Sequence, residues 1–211
     1  MCSIEKGNTK QEIIEAALDL FSAQGFEATS VSQIAGAVGI RKASLYSHFE
    51  SKQAILDALV KEVLEQYDAR SIFARADWEN DAGEKGGQEL TSDAAAQMIL
   101  AQLRYILHDP YISKARKMLV IEQYRNPGLA KLQTKQNYTD VMHYFTDLMK
   151  YLIRCGVLRE DDPEIMAAQF CLPISTWINL CDREPEREAE VMELVERHIQ
   201  QFFKVYRPQA R

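Results

Sequence analysis

Between Ser30 and Lys52 the apolar residues fall into two short helical stripes with a glycine between them. Val31, Ile34, Ala35 and Val38 stand at i, i+3, i+4 and i+7, the spacing of one buried helix face. Ser30 with Gln33 three residues on has the spacing of a capping box, which predicts the start of that helix. Gly39 can take a left-handed backbone without a Cβ penalty, so the helix should end there in a sharp turn with Ile40 pinned inside it. A second helix is expected over 41–48, with Leu45 and Phe49 facing inward. It would span about 12 Å at ~1.5 Å per residue, close to the width of the DNA major groove. Arg41, Lys42, Ser44 and His48 are then left facing outward, with Tyr46 at the edge. Ala35 is small where the two helices cross. Ser51 can cap a third helix that begins at Lys52, whose ammonium would lie beside the same surface. This is the layout of a helix-turn-helix whose second helix is stocked with hydrogen-bond donors.

The same periodicity runs through the rest of the chain. Thr9 and Glu12 open a helix to about residue 23, with Ile13, Ala17, Leu20 and Phe21 buried and Gly25 as its natural end. From Ser51 the third helix keeps its spacing through Ile55, Leu59, Val63, Tyr67 and Ile72. Residues 79–92 form a loop rich in glycine and charge. Thr91 or Ser92 can cap the next helix, which carries Ala96, Ile99, Leu100, Leu103 and Ile106 and stops at His108-Asp109-Pro110. A helix over 112–124 is broken at Asn126-Pro127-Gly128. The longest periodic stretch covers 132–154, with Tyr138, Val141, Phe145, Leu148 and Leu152 on one face and Gly156 at its end. Asp162-Pro163 opens a helix that is apolar almost all round, which Pro173 should kink. The last helix, about 185–206, has a seam of Val191, Val195, His198 and Phe202. Two neighbouring helices with surplus apolar surface suit a four-helix dimer interface.

Composition narrows the class. The chain has 211 residues and 46% apolar content, enough for a packed core in an all-α protein of two modest domains. Glycine and proline are sparse, and no apolar run is long enough to span a membrane. A cytoplasmic protein is expected. The net charge of −6 does not by itself suggest nucleic acid. Over residues 28–52, however, three bases (Arg41, Lys42, Lys52) stand against one acid (Glu50). The positive charge is local, which predicts positioned contacts and a modest salt dependence. Cys2, Cys155, Cys171 and Cys181 show no metal-ligand spacing, so no metal or cofactor is expected.

The run Leu18 to Val31, LDLFSAQGFEATSV, and the run Ile34 to Lys52, IAGAVGIRKASLYSHFESK, resemble the N-terminal domain of TetR-type transcriptional regulators. Leu45-Tyr46, with Phe49 three and Lys52 six residues beyond the tyrosine, is the specific part of the match. The resemblance implies that Tyr46 and Lys52 hold phosphates. It places Arg41, Lys42 and Ser44 against bases or backbone, with Ser32, Gln33 and His48 around the rim. It also implies a homodimer on a palindromic double-stranded operator and a helical C-terminal domain that binds a small-molecule effector. Residues 1–52 would be the DNA-binding domain, with the third helix running on to about 76 as a connector. Residues 53–211 would bind effector and dimerise through the last two helices.

Effector candidates are Met98, Gln102, Tyr105, Met118, Glu122, Tyr138, Met142, Phe145, Met149, Phe170 and Trp177. Methionines adapt to a ligand's shape and aromatics supply area. The leading expectation is therefore a repressor, not an enzyme, that releases its operator when a small molecule binds. The alternatives are a helical scaffold with a reader that does not touch DNA, motivated by the acidic charge, and a thiol-based redox sensor. An enzyme using Cys155, Cys171 or His143 lacks any nucleophile–base arrangement.

Overall fold

The structure is a computed structural model that describes residues 9–70 and 91–208. Cys2, the connector from 71 to 76 and the loop over 79–90 lie outside the described residues. Every regular element among the described residues is helical. They are α1 (Thr9–Gln24), α2 (Val31–Val38), α3 (Lys42–Tyr46), α4 (Lys52–Arg70) and α5 (Ser92–His108). Then come α6 (Pro110–Glu122), α7 (Pro127–Thr134), α8 (Asp140–Arg154), α9 (Pro163–Arg183) and α10 (Glu188–Val205).

The helices group into two compact units. The first takes in the chain as far as Arg70 together with Pro110–Lys131. It is thus larger than the 1–52 reader expected from sequence, because α6 packs on α1 and α4. Ile13, Ile14, Ala17, Leu18 and Phe21 of α1 are buried, as are Ile112, Ala115, Met118 and Leu119 of α6. Polar contacts tie the same helices: Gln11 donates to Glu62 at 2.9 Å, and Lys114 pairs with Asp19. The helix ends follow the sequence signals. Ser30 and Gln33 form both bonds of the capping box, Gly39 is left-handed at φ 75°, and Ser51 Oγ accepts from Ala54 N at 3.0 Å.

The second unit comprises Ser71–Asp109 and Leu132–Arg211. Thr91 caps α5, and Asp162 caps α9 with Pro163 in the first turn, where its missing N–H costs nothing. Helices α5, α8, α9 and α10 bury one cluster, which includes Ile99, Leu103, Phe145, Leu148, Leu152, Met166, Phe170, Val195 and Phe202. Rings pack in series through it, with centroids 5.1 Å apart for Phe145–Phe170, 4.9 Å for Phe170–Phe202 and 4.7 Å for Phe202–Tyr206. Helix α9 continues through Pro173 to Arg183.

One stretch departs from the regular spacing. Pro127 starts α7 rather than breaking a helix, since Asn126 Oδ1 accepts from the N–H groups of Gly128 and Leu129. Lys135–Thr139 is then a π-helical turn, with Asp140 N donating to Lys135 O. The extra residue shifts the phase of the stripe. Tyr138, expected to share a face with Val141 and Phe145, is 55% exposed, whereas Gln136 is buried.

Candidate nucleic-acid interface

Helix α3 is only five residues long and stands on a buried spine. Leu45 is fully buried and Phe49 nearly so, while Ile34 and Ala35 of α2 are buried too. With that face fixed inward, Arg41, Lys42, Ser44, Tyr46 and His48 are all exposed. The helix is shorter than the expected 41–48. Arg41 precedes it with extended backbone, and Ser47 and His48 belong to the following turn, where His48 N bonds Leu45 O at 2.9 Å. Lys42 Nζ lies 6.0 Å from the centre of the Tyr46 ring, so an ammonium and a phenol share one edge. Among the described residues neither Arg41 nor Lys42 enters an ion pair. The local positive charge is therefore open to a polyanion.

On the rim, Ser32 is exposed. Gln33 spends its Oε1 on Ser30 N at 2.8 Å, which leaves its amide N–H groups outward. Lys52 departs from the expected phosphate contact. Its Nζ donates to Phe26 O at 2.6 Å and Thr29 O at 2.9 Å and lies 4.1 Å from the centre of the Phe26 ring. An ammonium has three N–H groups, so one remains.

The expected effector residues do not come together. Met98 and Phe170 line a small apolar cavity of about 10 Å³ in the second unit, with Ala95, Ile99, Leu148, Met149, Leu152 and Phe203. Phe145 packs on Phe170. Met142 Sδ accepts from the Cys171 thiol at 3.7 Å, and burial pushes that thiol up to about 11. Gln102 is buried with no partner for its Nε2. Tyr105 is half-buried on α5. Trp177 sits edge-on to His198, whose Nε2–H donates to Phe170 O at 2.9 Å. Tyr138 is exposed, so it is not a pocket residue here. Met118 and Glu122 belong to the first unit. Met118 is core there, and Glu122 Oε1 accepts the Phe26 N–H at 2.7 Å. Helical periodicity does not say against what a residue of an apolar stripe packs.

Among the described residues no three His, Cys, Asp or Glu side chains gather as a metal site, and no helix is long and apolar enough to cross a membrane.

Residues 13–59 match the model for bacterial regulatory proteins of the tetR family, and residues 95–208 match the AefR-like transcriptional repressor C-terminal domain. The biofilm operon icaADBC HTH-type negative transcriptional regulator IcaR of Staphylococcus aureus (strain Newman) is 48% identical over 52 residues, 25% of this chain and 28% of that protein. The HTH-type transcriptional repressor KstR2 of Rhodococcus jostii (strain RHA1) is 38% identical over 60 residues, 28% of this chain and 29% of that one. The chain thus spans under a third of the length of these curated relatives. Solved structures align along nearly all of it. The flavonoid-responsive regulator FrrA has 26% identity and a TM-score of 0.62, covering 97% of this chain and 100% of its own. The SmeT–triclosan complex has 18% identity and a TM-score of 0.63, covering 97% and 94%. With both parts matched by its models, the chain belongs to the tetR family of bacterial regulatory proteins.

Proposed function

We propose that the chain is a homodimeric transcriptional repressor that grips a palindromic operator and lets go when a small molecule enters its second unit. The observation that carries this reading is the open face of α3, with Arg41, Lys42, Ser44 and Tyr46 exposed above the buried Leu45 and Phe49. One such helix makes too few contacts for tight binding. Two, related by a dyad and spaced about 34 Å apart, meet successive major grooves on one side of a duplex. Arg41, Lys42 and Ser44 reach bases or backbone, Tyr46 a phosphate, and Ser32, Gln33 and His48 the rim. The acidic net charge that favoured a scaffold is met by this local excess of base. The protein works in the cytoplasm, where bacterial DNA lies.

Helices α9 and α10 supply the dimer surface. Leu172, Trp177, Ile178, Leu180, Met192 and Phe203 remain only partly buried, and Ile165 and Val205 are about half exposed. The effector is a mostly apolar, ring-bearing molecule. Support comes from the wholly apolar cavity lining and from the flavonoid response and triclosan complex of the two structural neighbours. At about 10 Å³ the cavity is far below the ~300 Å³ of a ligand pocket, so Met98 and Met149 must swing aside.

Titrating a duplex from upstream of the chain's own gene tests the reading. Binding that weakens modestly with salt, and that a thermal-shift hit from a panel of aromatic compounds reverses, is expected. Absence of binding at low salt would defeat it.

A further inference from the structure

Phe26 lies in the bend between α1 and α2, and its peptide is held from two sides by side chains of two other helices. Glu122, the last residue of α6, accepts the Phe26 N–H on Oε1 at 2.7 Å. Lys52, the first residue of α4, donates to Phe26 O and Thr29 O. Thr29 Oγ1 donates back to Gly25 O at 2.8 Å and accepts from Gln24 Nε2 at 3.1 Å. Glu122 is 1% exposed. A carboxylate is costly to bury unless it is hydrogen-bonded, so this side chain has a specific partner rather than an incidental one. Gly25 makes room for it. Its φ is +86°, and a Cβ there would stand 2.9 Å from Glu122 Oε1.

The bend runs directly into Ser30, the N-cap of α2, and α2 carries α3 through the tight turn at Gly39. Fixing the Phe26 peptide therefore fixes where the reading helix starts. We propose that Glu122 is a positioning residue for DNA reading, and that Lys52 completes the same clamp on Phe26 instead of serving chiefly as a phosphate contact. This rests on the assignment of α3 as the DNA-reading helix. Small displacements of a supporting shell loosen a site without removing any contact residue.

The test uses the full chain as wild type, Glu122→Ala, Glu122→Gln and Lys52→Met, with Tyr124→Ser as a control at a site that is 89% exposed. The probe is the upstream duplex, titrated at several salt concentrations. In parallel, amide hydrogen exchange is followed by mass spectrometry over peptides covering 25–38 and 92–108. Glu122→Ala, which leaves the Phe26 N–H without its acceptor, is expected to speed exchange over 25–38 about tenfold and weaken DNA binding about tenfold. Exchange over 92–108 and the salt slope should not change. Glu122→Gln keeps an uncharged acceptor and should show about a threefold effect. Lys52→Met should weaken binding at an unchanged slope, whereas losing a phosphate contact would lower the slope by about 0.9 per subunit.

Wild-type exchange and affinity in Glu122→Ala would overturn the proposal. If that variant does not fold, wild-type exchange over 25–38 in Glu122→Gln would overturn it instead. A lowered slope in Lys52→Met would return that residue to the phosphates and overturn its half. A wild type that binds no duplex defeats the DNA reading, and the exchange arm still decides whether Glu122 holds the bend.

Discussion

Lys42 and Tyr46 are neighbours on the open face of α3, yet they are expected to read different parts of a duplex. A phenol on a phosphate carries no sequence information, whereas an ammonium at the helix start can reach base edges. Tyr46→Ala should weaken binding about equally for all sequences. Lys42→Ala should also relax discrimination at one or two base positions, by roughly 1–3 kcal/mol. Titration against a panel of operator variants checks both, and a change of preference in Tyr46→Ala would reverse the assignment. The cysteines answer to the same kind of local reasoning. Cys171 is buried with its thiol raised to about 11 by that burial, so almost none of it is thiolate at neutral pH. Cys155 is exposed. Alkylation of the native protein at pH near 8, read by peptide mass, should label Cys155 and spare Cys171 until denaturant is added. Fast native labelling of Cys171 would revive a redox role.

Among the elements, α2 shows how closely short-range signals set local structure. Ser30→Ala removes half of the capping box and should cost about 1 kcal/mol. Two glycines of this element should respond with opposite sign. Gly39 is left-handed with open space around it, so Gly39→Ala should destabilise by about 1 kcal/mol through backbone conformation alone. Gly36 lies within the helix with nothing near a Cβ, so Gly36→Ala should stabilise by about 0.5–1 kcal/mol. Thermal melts of the three variants measure these effects, and equal shifts for the two glycines would contradict the backbone argument. Caps, the glycine turn and the α3 face were readable because their partners lie within four residues. The alliance of α6 with α1 was not, since an apolar stripe does not say which helix will cover it. Glu122 shows the cost: among methionines it looked like a ligand contact, and only the fold reveals the Phe26 peptide opposite it. The π-turn over Lys135–Thr139 was hidden for a related reason. One extra residue in a turn leaves no mark of its own in the sequence, yet it turned Tyr138 outward.

At the scale of the molecule, the unit that carries α3 is discontinuous in the chain, closing only when Pro110–Lys131 joins residues up to Arg70. Residues 1–70 alone would lack α6, whose buried Ile112, Ala115, Met118 and Leu119 belong to a helix packed on α1 and α4, and would expose apolar surface that so short a chain can ill spare. Circular dichroism of that fragment should show no cooperative melt, and adding 110–131 on a flexible linker should restore one. A sharp transition in the unextended fragment would prove it self-sufficient. The consequence reaches protein engineering. A chimera that fuses this DNA-binding head to another regulator's sensor at a single junction near residue 52 or 70 would leave α6 behind, so a working transplant needs three cuts and must carry both segments together.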